Sequence, residues 1–165
     1  MQVVLFPDQG LQATCDRVDD FGPELKIQLE KMAETMYASR GVGLAAPQVG
    51  INQRLIVVDP SAGEQACEMI FMVNPVIVWS SKEVEFGPEG CLSIPGVAVN
   101  VARSTEIEIE YQDVSGQTQH AFLNGFLARI VQHEVDHLNG VLMLDRASPM
   151  ERRMAHKNLS KKAMG

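Results

Sequence analysis

The sequence predicts an α+β fold in which antiparallel strands pack around a central helix carrying His133-Glu134-Val135-Asp136-His137, with a short helix at the C-terminus. Three observations predict it. Apolar residues recur with helical spacing near 24–39 and again near 125–139. Between them, from about 50 to 120, run short strand-like segments, several with a period of two. Strands and helices do not alternate as a parallel sheet requires, so the strands group in the middle and the helices lie outside them. A chain of 165 residues, 45% apolar and 21% charged, suits one packed core and neither disorder nor a fibrous repeat. No repeat, low-complexity tract or Pro/Gly/Ser-rich linker divides it.

The elements follow in order. Leu25, Leu29, Met32, Ala33 and Met36 mark the first helix, with Pro23 in its first turn and Gly41 past its end. Arg54–Asp59 reads as a short strand. Ile70–Val73 and Val76–Trp79 read as two more, split at Asn74-Pro75, where proline removes a ladder donor. Val97, Val99 and Val101 alternate, and Ile107, Ile109 and Tyr111 alternate against Glu106, Glu108 and Glu110, as in a strand with one wet face. Asp113–Gly116 is a turn, and Gln117–Leu123 returns as the hairpin partner. Leu127, Ile130, Val131 and Leu138 share one side of the second helix, with Asn124 as N-cap and Gly140 beyond its end. Ser148-Pro149-Met150-Glu151 is a capping-box signature with proline at the first helical position, which predicts a short basic helix toward Leu159.

Charge divides the chain unevenly. The net charge is -7, with 14 basic and 21 acidic residues, which argues against a protein whose main work is gripping a phosphate backbone. Residues 148–165 carry Arg152, Arg153, Lys157, Lys161 and Lys162 against Glu151 alone, a net +4, so the first 147 residues carry -11. Residues 1–147 therefore read as one catalytic domain and 148–165 as a basic helix or tail. Three scattered cysteines, Cys15, Cys67 and Cys91, without a CxxC, do not make a disulfide framework. Cys15 and Cys67 read as small buried hydrophobes. The N-terminal MQVVLFPDQGLQ lacks a signal-peptide pattern, and no segment approaches the ~20 apolar residues of a membrane span. The expectation is a cytoplasmic protein that meets no membrane.

His133-Glu134-Val135-Asp136-His137 is an HExxH motif inside the second helix. Four residues turn a helix only about 40° past one full turn, so both imidazoles leave one face about 6 Å apart and can grip one ion. A glutamate beside the first histidine reaches a reacting water without ligating. A catalytic site needs three protein ligands and one open position. Downstream, Asp145, Glu151 and His156 have no obvious claim to be the third. Upstream, Glu89-Gly90-Cys91-Leu92-Ser93-Ile94-Pro95-Gly96 offers a thiol in a glycine-flanked loop, and its thiolate would complete an S,N,N set.

These residues resemble the peptide deformylases, a family recognised by three short motifs in fixed order. Here they read Gly41-Val42-Gly43-Leu44-Ala45-Ala46-Pro47-Gln48, Glu89-Gly90-Cys91-Leu92-Ser93 and Gln132-His133-Glu134-Val135-Asp136-His137-Leu138. The resemblance spans about residues 5–146. It implies hydrolysis of the N-formyl group from N-formylmethionyl nascent polypeptides, releasing formate. Cys91, His133 and His137 would hold one divalent ion, commonly Fe²⁺, although such a donor set also accepts Zn²⁺, Ni²⁺ or Co²⁺. Glu134 would act as general base and then acid, with the Gln48 amide and the Leu92 backbone N–H donating to the formyl oxygen.

Around that centre, the backbone of Val42, Gly43 and Leu44 is expected to take the peptide as an added strand, and Glu89 and Gly90 are also expected to bind substrate. Val42, Phe126 and Ile130 are the candidates for an apolar methionine pocket. Arg129 either edges that pocket or faces solvent. Arg103 either ties Glu89 to Asp136 or forms a solvated pair. Some relatives carry a basic residue after the cysteine motif, where this chain has Gly96-Val97-Ala98, so contacts beyond methionine are expected to differ. Two rival readings are an HExxH peptidase, disfavoured by the missing downstream ligand, and a closed structural metal site, which requires a fourth protein ligand. The expected protein is a monomer, its basic tail a weak electrostatic contact to the ribosome.

Overall fold

The computed structural model describes residues 1–65 and 68–164, so Cys67 lies outside the described residues. Strands β1 (Gly43–Ala45), β2 (Leu55–Val58), β3 (Ile70–Ser80), β6 (Glu106–Gln112) and β7 (Thr118–Asn124) form an antiparallel sheet in the order β1-β2-β3-β6-β7. Strands β4 (Val84–Cys91) and β5 (Ile94–Ser104) form a separate antiparallel pair. The helices are α1 (Pro23–Ala38), α2 (Gly125–Leu138), a single turn α3 (Met143–Arg146) and α4 (Pro149–Met164).

Alternation along β2 distributes the core. Ile56 and Val58 face α2, in a cluster with Ala45, Met72, Ile107, Ile109, Ala128, Ile130, Val131 and Val135. Leu55 and Val57 face the opposite way and pack with Leu25, Leu29, Met32 and Met36 of α1. The β1–β2 end of the large sheet is thus buried on both faces, while Val76, Val78 and Trp79 of β3 and Phe122 of β7 stay exposed. The β5 residues Ile94, Val97, Val99 and Val101 bury a third cluster under Met143, Leu144, Ala147 and Ala155 of α3 and α4. Helix α2 runs between the two sheets, and Gln132 locks it to β5 by accepting from the Ser104 N–H (3.2 Å) and donating to the Ser104 carbonyl (2.9 Å).

The structure corrects four local expectations. Asn74-Pro75 does not split a strand: β3 runs unbroken from Ile70 to Ser80, with an irregular register between Val73 and Val76. Asn74 sits there at φ 52°, and its buried side chain accepts from the Val18 N–H (2.9 Å) and donates to the Val18 carbonyl (2.8 Å). Cys91 lies not in a loop but at the end of β4, paired with Ile94 across the short link Leu92-Ser93. Asn124 occupies the N-cap of α2 without a side-chain capping bond. At α4 the capping box is half formed: Ser148 Oγ accepts from the Glu151 N–H (3.2 Å), but the Glu151 carboxylate takes the Asn100 side-chain and backbone N–H groups instead. That tie to β5 accompanies a helix that continues past Leu159 to Met164.

Candidate active site

Two elements converge on one point. Cys91 comes from the end of β4, His133 and His137 from the inward face of α2, and their ligand atoms all lie within 4.8 Å of one another. Cys91 Sγ is 3.5 Å from His137 Nε2, and the two imidazole centroids are 5.0 Å apart. Among the described residues this S,N,N group is the cluster fit for a metal ion, and it contains no fourth protein ligand of the kind a closed structural site requires.

The ligands are aimed by their surroundings. His133 Nδ1 bonds Glu89 Oε1 (2.9 Å), which leaves the other ring nitrogen of His133 for the cluster. Glu89 is held in turn by Arg103, whose Nε and Nη2 each lie 2.8 Å from a carboxylate oxygen, and by Arg129 Nη1 at 2.7 Å. Arg103 Nη1 reaches Asp136 Oδ2 (2.6 Å), which also receives Arg146 Nε (2.5 Å). Of the two readings of Arg103, the structure shows the buried Glu89–Arg103–Asp136 tie and not the solvated pair. The Glu89–His133 bond and the Arg146 contact are additions that sequence reasoning missed.

Local electrostatics fit a cation. Burial works against the Glu89 charge, but hydrogen bonds from Arg103 and His133 outweigh it and hold the carboxyl far below its usual range. Burial also works against charge on His133, yet its bonds to Cys91 and Glu89 outweigh it and push it up to about 10. Burial, reinforced by His133 and Arg103, keeps His137 well below its ordinary value, so its imidazole stays neutral as a ligand must be. Glu134 is pushed up to about 7, chiefly by burial. Among the described residues, Glu134 Oε1 and His137 Nδ1 are buried side-chain atoms that meet no hydrogen-bond partner.

A cavity of about 630 Å³ opens onto this cluster. Its lining includes Val42, Gly43, Gln48, Glu89, Gly90, Leu92, Phe126, Ile130 and Glu134, together with Cys91 and His133. Gly43 is there because nothing larger fits: a Cβ would lie 2.6 Å from Glu134 Oε2 and 2.9 Å from Ile130 Cγ2. The Gln48 amide is oriented from both ends. Its oxygen accepts from the Ala45 N–H (2.9 Å), and its Nε2 faces Ser93 Oγ (3.2 Å) and Cys91 Sγ (3.5 Å). Leu44 does not belong to the lining. Alternation along β1 turns it into the α1 cluster, where it is fully buried. Arg129 edges the cavity rather than facing solvent, bonded to Glu89, the Val101 carbonyl (3.1 Å) and the Glu85 carbonyl (2.7 Å). Because the Glu89 carboxylate is engaged by Arg103, Arg129 and His133, only its backbone is left for a bound peptide.

A three-ligand metal cluster beside a buried carboxylate, at the bottom of an open cavity, defines a metal-dependent hydrolase. The family model for polypeptide deformylase matches residues 1–153. Peptide deformylase of Thermotoga neapolitana is 44% identical over 96% of this chain and 93% of its own length, and that of Thermodesulfovibrio yellowstonii 38% identical over 98% of each. Among solved structures, the Plasmodium falciparum peptide deformylase superposes with a TM-score of 0.93 at 35% identity, over 97% of this chain and 94% of that one. The Synechococcus elongatus enzyme, in complex with actinonin, gives 0.92 at 39%, over 96% and 87%. The chain belongs to the polypeptide deformylase family. It is a hydrolase that removes N-formyl groups from nascent peptides.

Proposed function

We propose the following division of labour in that reaction. Cys91, His133 and His137 hold one divalent ion, which when bound supplies Lewis-acid polarisation of the formyl group and eases deprotonation of water. Glu134 accepts the proton of the attacking water, and later gives a proton to the amine as the C–N bond breaks, leaving formate and a free α-amino group. The Gln48 Nε2 and the Leu92 backbone N–H donate to the formyl oxygen as negative charge develops on it. Val42 and Gly43 on one wall, with Gly90 and the backbone of Glu89 on the other, take the peptide as an added strand. Phe126, Ile130 and Val42 enclose the methionine side chain. The observation that carries this reading is the buried, unpartnered Glu134 Oε1 beside the ligand cluster, since a general base must keep an oxygen free for the proton it takes.

The test is formate release from a formyl-Met tripeptide by anaerobically metallated protein, against Glu134→Ala. A loss of about 10²–10⁴-fold is expected. Wild-type turnover in the variant overturns the role of Glu134, and internal peptide cleavage by the wild type overturns the substrate.

We further propose Fe²⁺ as the native ion, with Zn²⁺, Ni²⁺ or Co²⁺ as ions the same donors accept; elemental analysis of protein purified without oxygen decides. Among the described residues no helix is long and apolar enough to cross a membrane, which is compatible with the proposed cytoplasmic location. Residues 1–147 are proposed as the catalytic domain of a monomer. The appended α4, with Arg153, Lys157 and Lys161 exposed, is proposed to touch the RNA-rich ribosome surface weakly. Co-sedimentation unchanged by reversing those three charges removes that contact.

A further inference from the structure

The mouth of the cavity carries a charge that the reaction does not require. Its charged lining consists of Arg40, Glu89, Arg129, His133 and Glu134. Glu89, Arg129 and His133 are bonded to one another, and Glu134 is buried. Arg40 is exposed, and among the described residues its guanidinium has no ion-pair or hydrogen-bond partner.

Its backbone position is unusual for an arginine. Helix α1 ends in a Schellman turn, with the Gly41 N–H bonded to the Met36 carbonyl (2.9 Å) and the Arg40 N–H to the Tyr37 carbonyl (3.0 Å). Arg40 occupies the left-handed residue of that turn at φ 58°, where glycine is the usual occupant and a Cβ carries a conformational cost. A strained residue at the rim of a catalytic cavity is an outlier from which a functional role can be inferred. The adjoining Gly41 brings this corner against the opposite wall, since a Cβ there would lie 2.8 Å from Leu92 Cδ1.

The geometry of β1 fixes which part of a substrate Arg40 meets. β1 is an edge strand. The Val42 carbonyl accepts from the Asp59 N–H (2.8 Å), so residue 42 faces inward to β2 and, by alternation, the backbone groups of Gly43 face the open edge. A formylated peptide lying antiparallel on that edge, with its formyl group at Glu134 beside Gly43, runs back past Val42 and Gly41 toward Arg40. Three residues at about 3.4 Å each span about 10 Å, which brings the second and third residues of the peptide level with Arg40.

We propose that Arg40 is a specificity-determining residue that selects formylated peptides bearing acidic side chains at their second and third positions. This rests on the deformylase reading of the site and goes beyond it. It also runs against the protein's overall field: a body with a net charge of -11 over residues 1–147 favours basic peptides, so an acidic preference requires a local cation.

The experiment compares kcat/KM for formyl-Met-Glu-Glu, formyl-Met-Gln-Gln and formyl-Met-Lys-Lys at low and at 0.5 M-range salt, in metallated wild type, Arg40→Gly and Arg40→Glu. Ratios between peptides are taken within each protein, so a general change in activity cancels. Glycine suits the left-handed position, so Arg40→Gly keeps the fold. The expected result is an acidic-over-basic ratio of about 2- to 5-fold or more in the wild type, shrinking with salt, lost in Arg40→Gly and reversed in Arg40→Glu. A wild type indifferent to charge or preferring lysine overturns the proposal, as does an unchanged ratio in Arg40→Gly. Turnover of the glutamine peptide by the wild type reads the deformylase assignment separately: its absence overturns that assignment and not merely the preference.

Discussion

Where α2 faces β4 and β5, charges are paired several times over: Glu89 receives Arg103, Arg129 and His133, and Asp136 receives Arg103 and Arg146. Where the same helix faces β1 and the cavity, Glu134 leaves a buried carboxylate oxygen with no partner, and the backbone that faces it is Gly43, where a Cβ would lie 2.6 Å from Glu134 Oε2. A buried polar atom left unpaired costs about 1–3 kcal/mol. One face of one helix thus spends stability on readiness to move a proton, and the other fixes the aim of the ligands. The contrast teaches that position and reactivity are supplied by different neighbours, so substitutions on the two faces should separate turnover from stability.

The largest effect is expected at Glu134. Glu134→Ala should lower turnover by about 10²–10⁴-fold while metal content holds and the melting temperature holds or rises, because a buried carboxylate with an unpaired oxygen is removed. A clear fall in melting temperature would show that Glu134 belongs to the scaffold after all. Next comes Arg103, only 4% exposed. Arg103→Ala leaves Glu89 and Asp136 short of a buried partner and should cost about 3–5 kcal/mol in denaturant melts. Metal affinity should weaken by about 10–100-fold through the loosened Glu89–His133 bond. Gly43→Ala sits on the boundary between the faces. Its Cβ must displace Glu134 or Ile130, for an overpacking cost of about 1–3 kcal/mol. Turnover should fall with metal affinity unchanged, a split that stopped-flow turnover and competitive chelation measure directly.

Much of the catalytic face was legible because each of its residues stands in a short local motif, although the motifs themselves are far apart in sequence. The spacing of His133 and His137 puts two ligands on one side of a helix, and Cys91 and Gln48 stand in short motifs whose order carries the family resemblance. The ion-paired face was less legible, since Glu89 and His133, or Arg129 and the Glu85 carbonyl, meet across more than forty residues and no local pattern announces them. Only the Arg103 bridge was anticipated, from the need of ligating imidazoles for outer partners. Strand β4 escaped notice for a related reason. In Val84–Cys91 only Glu89 is buried, so the segment shows no apolar alternation, and its strand state comes from pairing with β5 rather than from its own residues. Asn74 misled in the opposite sense: a side chain bonded to Val18 on both its oxygen and its nitrogen carries the chain through a conformation that reads locally as a break.

The smallest effect tests where the rigid face ends. Arg146 meets Asp136 with two bonds, Nε to Oδ2 at 2.5 Å and Nη2 to Oδ1 at 2.9 Å, a better geometry than the single Arg103 contact to the same carboxylate. Its side chain is nevertheless 47% exposed, so water competes for it and salt screens it. Arg146→Ala should therefore cost about 0.2–1 kcal/mol, less at high salt, and leave metal affinity unchanged, since Asp136 keeps Arg103. Thermal melts at low and high salt, with chelator competition, measure both. If Arg146→Ala instead costs as much as Arg103→Ala and the double variant costs no more than either, the two arginines act as one unit. The network that aims the metal ligands would then extend through α3 to the surface.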